Sequence, residues 1–462
     1  MNISYWPAIL AIIFVGIITS ASAEDNNSDS VKESQENKEV LPVKWQEYKG
    51  IKVGLNGGKD GYLKFGFLGQ IWMRHSELNP GTVDFLGKEI DHANDMGMRR
   101  MRIRFYANLF NKFHFYTQIG TNNHHFNSEP KPQIYIHDFW GAYTVVDRKL
   151  NVGAGLSMWN GISRLTNSSA ISKLMLEYPM YIWPNLGHTD QSARQTGVFA
   201  YGTISGLNYR VAVTKPFFYH NPIEDPSVID QGFEIGTENV DYKGYAFYSF
   251  FDREYSKTPF MAMTYLGKKK ILNIGAGFDI HPESIGYWNS NGEMVKQTRQ
   301  HYGVDLFMEL PQPDGGIWTL YTSGVSLDFG PNYLRSGGWM NIYKNGSDSG
   351  EPLAQGYGIS DFVSGTGNIW YTSVGYLLPK KYSGIKTMIQ PVFASTYKSF
   401  DGLNQNSWQY DIGVNYYMYG HNFKLSAQYS SRPIYSGTVG PNSTAVIEDY
   451  KGMMILQFQI NI

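Results

Sequence analysis

The sequence predicts an all-β fold, a transmembrane antiparallel β-barrel of about 16 strands with one long loop folded inward. Three observations lead there. From Tyr62 to the last residue, short segments alternate apolar with polar positions and are separated by turn residues and long polar stretches. The 462 residues include 49 Gly, 34 Tyr, 26 Phe and 11 Trp, yet mean hydropathy is only -0.34, as expected when each strand shows one face to lipid and the other to water. Tight and long joints alternate, an asymmetry of barrels whose turns differ at the two membrane faces.

The chain opens on an export signal. Residues 7–18 are an apolar core followed by Ala21-Ser22-Ala23, the small-residue pattern of a cleavage site, so residues 1–23 read as a signal peptide. Its first residues carry no Lys or Arg, which keeps an uncleaved anchor as the alternative. Beyond it no apolar run approaches the ~18 residues a membrane helix needs. Cysteine is absent, so neither a disulfide framework nor thiol chemistry is expected. A net charge of -1 gives no reason to expect nucleic acid as a partner. Between Glu24 and Glu47 seven acids accompany only Lys32, Lys38 and Lys44. Residues 24–60 therefore read as an acidic, largely disordered periplasmic leader, and the barrel, residues 61–462, keeps a small positive excess.

In the first strand Leu63, Phe65, Phe67, Ile71 and Met73 share the outward parity, and Tyr62, Lys64, Gln70 and Arg74 the inward one. In the second, Met101, Ile103, Phe105, Ala107 and Leu109 face outward. The last strand places Met454, Leu456, Phe458, Ile460 and Ile462 on one face and Ile455, Gln457, Gln459 and Asn461 on the other. Short joints are expected at residues 111–112, 147–148, 205–206, 267–270, 311–316, 379–384 and 420–421, with longer ones between, the largest at 328–365. The count of 16 takes residues 245–266 as one long strand and puts a long external loop after Ile280; 18 strands is the alternative. The terminal strand should close against the first, since an open edge in lipid leaves backbone groups unsatisfied.

Residues 160–195 form a long loop mixing Leu174, Met175, Leu176, Tyr178, Tyr181, Ile182 and Trp183 with polar residues. Such a loop should fold into the lumen as a constriction; an external hydrophobic lid is the alternative.

Met98-Arg99-Arg100-Met101-Arg102-Ile103-Arg104, followed by residues 113–120, His137-Asp138-Phe139-Trp140-Gly141-Ala142-Tyr143 and Asn151-Val152-Gly153-Ala154-Gly155, resembles the phosphate-selective porin family of O and P type, in its Bacteroidetes-like form. Gly267-Lys268-Lys269-Lys270 ahead of residues 273–278, and the closing Leu456-Gln457-Phe458-Gln459-Ile460, add to the resemblance. It implies a trimeric, anion-preferring channel of 16 strands, with an inward third loop and basic residues near the eyelet.

Parity puts Arg100, Arg102 and Arg104 on one face of the second strand, opposite Met101, Ile103 and Phe105. A lipid-facing Arg at mid-membrane costs ~2–4 kcal/mol, so the register that turns them to the lumen is favoured over its one-residue slip. Guanidinium groups in a pore attract anions and can hold phosphate or carboxylate through two oxygens at once. Alternatively they pair with acids such as Asp138 or hold the loop through carbonyls. Arg99, Lys64 and Arg74 extend the candidate basic lining, and Arg164, Lys173 and Arg194 lie in the constriction loop. Asp138, Asp279, Asp305 and Glu309 oppose a uniform field.

The expected function is an outer-membrane porin passing small hydrophilic solutes, small anions such as phosphate among them. It should be a homotrimer in contact with outer-membrane lipid, with no cofactor. A substrate-specific transporter of oligosaccharide or fatty acid, or a non-conducting adhesive barrel, are the alternatives. No Ser, His and acid stand at nucleophilic spacing, so no enzyme is expected. His114, His124, His125 and His137 read as polar surface and not as a metal site.

Overall fold

The computed structural model describes residues 50–179, 193–217, 228–343, 354–383 and 387–462. The export signal, most of the acidic leader, and Tyr181, Ile182 and Trp183 lie outside the described residues. The barrel strands are β1 (Gly61–Glu77), β2 (His92–Leu109), β3 (Phe113–His124), β4 (Tyr135–Val146), β5 (Leu150–Ser157), β6 (Gln195–Ile204), β7 (Leu207–Lys215) and β8 (Asp241–Ser249). They continue with β9 (Ile271–Trp288), β10 (Met294–Pro311), β11 (Ile317–Asp328), β12 (Gly367–Leu377), β13 (Met388–Phe400), β14 (Ser407–Tyr417), β15 (Phe423–Ser436) and β16 (Val446–Asn461).

Each strand pairs antiparallel with its chain neighbours, and β16 returns to β1, from Leu68 opposite Asn461 to Ser76 opposite Met453. Phe67 and Ile462 exchange both backbone hydrogen bonds, at 2.7 and 2.8 Å, so the seam is satisfied to the last residue. The ring holds 16 strands, not 18. Two short strands, Ile51–Leu55 on β1 and Phe233–Glu234 on β9, extend the sheet without entering the ring. The first lies within the stretch expected as disordered leader, where alternation in Ile51, Val53 and Leu55 lets it add to an available edge.

Parity holds as read. On β1, Leu68, Gln70, Trp72 and Arg74 are buried while Phe65, Phe67 and Ile71 are exposed, and on β2 the exposed Ile103 separates the inward Arg102 and Arg104. Outward aromatics gather near both rims. Phe113 lies against Tyr143 and Trp318 against Tyr376 at the periplasmic ends, with ring centres 5.1 and 4.6 Å apart; Tyr397 meets Trp408 at 5.0 Å at the opposite ends. An apolar band between two aromatic girdles is a surface built for a bilayer.

Residues 245–266 are not one strand. β8 starts earlier, at Asp241, and ends at Ser249, after which residues 250–270 leave the wall at the periplasmic rim. The reason is local: Phe250 and Phe251 break the alternation, Asp252, Arg253 and Glu254 could not cross lipid, and Pro259 cannot donate to a ladder. The tight joint expected at 267–270 is only the end of this segment. No long loop follows Ile280 either. Pro282 displaces the register between His281 and Ile285, and β9 then resumes to Trp288 and reverses over residues 289–293, where Asn289 Oδ1 accepts the backbone N–H groups of Asn291 and Glu293 at 3.0 Å each.

Closure can be tested in this cysteine-free chain. His75 and Met454 lie directly opposite on the outer face of β1 and β16, within disulfide reach for facing positions of an antiparallel pair. His75→Cys with Met454→Cys is expected to oxidise to an intramolecular bond, read by peptide mass spectrometry. Absence of the bond here and at Met73 with Leu456, in a folded protein, would reject the seam.

Candidate functional site

A β-bulge builds the cationic wall. Gln70 of β1 lies opposite Arg100 of β2, but Ile71 lies opposite Met98, which leaves Arg99 as an extra residue on β2. A bulge re-aims one side chain, so Arg99 joins Arg100 inside, and Arg102 and Arg104 follow at period two. Arg99 lies 5.0 and 4.7 Å from the ring centres of Trp72 and Trp339 and donates to Asn123 Oδ1 at 2.5 Å. Arg100 donates from Nη1 to Gln70 Oε1 at 2.9 Å. Arg102 donates to the Met101 and Thr121 carbonyls, at 2.7 and 2.5 Å, and to the Asn122 side-chain oxygen; Arg104 donates to Asn461 Oδ1 at 2.7 Å. Among the described residues no ion pair involves any of the four.

The acids of the lumen are engaged elsewhere. Asp138 accepts Arg194 Nη2 at 2.8 Å. Asp279 accepts Arg299 Nη2 at 3.0 Å, in a network that Lys243 and Asp241 complete. Asp305 takes the backbone N–H of Arg164 at 2.6 Å and the Tyr245 hydroxyl at 2.9 Å. Glu309 takes the backbone N–H groups of Tyr265 and Gly267 at 2.8 and 2.7 Å. Asp138, Asp305 and Glu309 bind loops to the wall and Asp279 joins neighbouring strands, while Glu177 of the inward loop attracts Arg99 and Arg100, and Asp138 attracts Arg102, without an ion pair to any of the three among the described residues.

The loop after β5 enters the barrel, as expected, and its first part presses against the far wall. Gly277 and Gly303 face each other across β9 and β10, and a Cβ on either would come within 2.7 Å of the Ile162 backbone. That contact requires glycine. Arg164 then grips Glu254 with two hydrogen bonds, 2.9 and 2.5 Å, and donates from Nε to the Ala262 carbonyl at 2.9 Å. Glu254 and Ala262 belong to the periplasmic segment, which has folded up into the lumen. Met261 of that segment takes Ser169 N–H and donates to the Asn167 carbonyl, both at 2.8 Å. Two segments, entering from opposite membrane faces, thus meet as one body.

They leave two adjoining cavities. A lower one of about 540 Å³, lined by Lys64 and Lys268, opens at the periplasmic side; a smaller one of about 70 Å³ is lined by Arg100, Arg102, Lys173 and Arg194. Arg104, Tyr116, Ser169, Ile171 and Phe260 line both and mark the neck. Lys173 lies 4.5 Å from the Tyr178 ring centre, and burial, followed by Arg100 and Arg99, pushes its ammonium well below the usual range.

The sequence-derived residues thus divide. Arg100, Arg102, Arg104, Lys173 and Arg194 converge on the small cavity, Arg194 already paired with Asp138, and Lys64 lines the lower one. Arg99 stands between its two tryptophans. Arg74 is ion-paired with Asp95 at 2.6 Å and donates to the Trp339 carbonyl at 2.7 Å, so it holds the external loop 329–366. Arg164 is an anchor. Phe260 and its whole segment escaped sequence reasoning, although Pro259 and the doubled Phe250-Phe251 were visible signals. His114 bonds Tyr106 and Thr144 toward the periplasmic end of β3, whereas His124 and His125 stand at its other end.

Gly303→Val is expected to destabilise the barrel by about 1–3 kcal/mol through overpacking against Ile162, read as a lower unfolding midpoint in detergent. Ala276→Val, on the outer face next to Gly277, is expected to leave it unchanged. Equal midpoints for the two variants would show that the loop is not seated on the glycine pair.

Neither protein-family models nor curated protein sequences show a match to this chain. Solved structures do. An anion-selective porin from Comamonas acidovorans aligns at 8% identity and TM-score 0.46, over 87% of this chain and 99% of that one. OmpF of Salmonella typhi aligns at 7% identity and TM-score 0.48, over 89% and 100%. OmpT, an outer membrane protein of Vibrio cholerae, aligns at 10% identity and TM-score 0.45, over 87% and 99%.

Proposed function

We propose that this chain is an outer-membrane porin, a passive channel for small hydrophilic solutes that prefers anions, phosphate among them, and assembles as a homotrimer. The observation that carries the reading is the wall of Arg99, Arg100, Arg102 and Arg104 inside a closed barrel, none of them in an ion pair among the described residues. In a narrow, low-dielectric neck such a wall raises the local concentration of anions and repels cations. The nearby acids offset it only in part: Asp138 serves Arg194, Asp305 and Glu309 hold backbone N–H groups, and Glu177, which attracts Arg99 and Arg100, forms no ion pair with them among the described residues.

Reversal potential in a salt gradient tests the reading. The wild type is expected to favour anions in dilute salt and to lose the preference toward molar salt, where screening shortens to ~3 Å. Replacing Arg100, Arg102 and Arg104 together by Gln should move the potential toward cation preference. Phosphate block should weaken at least about tenfold, since a hydrogen bond to a charged group contributes ~1.5–3 kcal/mol. A folded triple variant with unchanged reversal potential would assign the arginines to structure instead.

A further inference from the structure

The neck has a mixed lining. Arg100, Arg102 and Lys173 line the same small cavity as Leu68, Ile171 and Phe260. Leu68 is the informative residue. It holds an inward position of β1, where Lys64, Gln70 and Arg74 are polar, and it lies directly opposite Arg102 in the β1–β2 register. Phe260 is brought there by the periplasmic segment, with its ring 5.9 Å from Tyr116 and 5.8 Å from the Arg194 guanidinium carbon. A lumen position is ordinarily polar, so apolar side chains from three separate elements set among a group of cations call for a ligand with both characters.

We propose that the neck is a binding site for organic anions, a carboxylate carried on an apolar ring, in preference to inorganic phosphate. The inference rests on the anion-preferring reading and names its substrate class. Inorganic phosphate is hydrated on every side, and pressing it against Leu68, Ile171 and Phe260 removes water without replacing its hydrogen bonds. An aromatic carboxylate loses nothing on its ring face: the carboxylate takes charge-assisted bonds from Arg100 and Arg102 in the small cavity, while the ring, which about 70 Å³ would not hold, lies in the cavity of about 540 Å³ against Phe260 and Ile171, which line both. Arg100 has donors available, because it makes a single hydrogen bond, to Gln70, among the described residues, whereas Arg102 already donates to two carbonyls and to Asn122 and contributes chiefly its charge.

Binding is measured calorimetrically on the detergent-purified full-length protein, with benzoate and inorganic phosphate as probes in the same dilute buffer, so that the result does not require ion flow. Benzoate is expected to bind about tenfold more tightly than phosphate. Phe260→Ala should cost benzoate about tenfold and phosphate less than about twofold, from the apolar area lost; Phe260→Leu should restore most of the benzoate affinity, and Arg100→Gln should weaken both probes. Phosphate binding as tightly as benzoate, benzoate affinity untouched in a folded Phe260→Ala variant, or no binding of either probe would each overturn the proposal. Conductance in planar bilayers judges the porin reading separately: a conducting barrel without benzoate affinity rejects only the ligand, and a silent barrel that binds benzoate rejects only passive diffusion.

Discussion

Backbone hydrogen bonding in a medium without water is the constraint on which this molecule depends. A sheet in lipid must have no free edge, so β16 has to return to β1, and Phe67 with Ile462 completes that seam to the chain's end. Closure fixes parity around the ring, and parity decides what each face can hold. Once Met101, Ile103 and Phe105 are committed to the exterior, Arg102 and Arg104 have nowhere to go but the lumen. The bulge at Arg99 adds a fourth guanidinium to the same wall without disturbing the outer face.

Confining so much charge inside a ring sets a second problem, which the two inward segments address. Buried carboxylates are costly unless they are hydrogen-bonded or paired. Asp305 and Glu309 meet that requirement by accepting backbone N–H groups from the loop after β5 and from the periplasmic segment. Glu254 meets it through Arg164. The acids therefore secure the plug, and the basic residues of β2 are left to face the opening. One segregation of charge serves assembly and, on the proposed reading, selectivity.

Much of this was legible in the sequence, because strand periodicity is a local signal and the cost of placing Arg in lipid chooses between its two registers. The inward face of β2 follows from that pair of facts, the β1–β16 seam from the need to leave no open edge in lipid, and the inward loop after β5 from its length and apolar content, whereas the strand number came out at 16 although residues 245–266 are not the single strand it was counted on. What remained hidden depends on contacts between residues far apart in the chain. Nothing near Asp138 indicates that Arg194, and not a β2 arginine, will take it. Nothing near Pro282 says that β9 will resume after a register shift. Residues 245–266 read as one strand because Tyr245, Phe247 and Met261 alternate well enough to pass for it, although only Asp241–Ser249 crosses the wall there. Their true position is fixed by Arg164, almost a hundred residues earlier, and by Glu309, some forty residues later.

The meeting of the two segments also explains why neither could form the neck alone. The loop after β5 supplies Lys173 and Ile171, and its backbone lies flat against Gly277 and Gly303, which holds it to the wall away from β2. The gap between that loop and the arginines is closed from below by Phe260, whose segment is tied to the loop through Met261 and to the barrel floor through Glu309. Because the ring that narrows the lumen and the loop that carries the ammonium group are joined by Arg164 and Glu254, the width of the opening and the placement of its charge cannot vary independently. Arg100, Arg102 and the Phe260 ring thus line one small cavity.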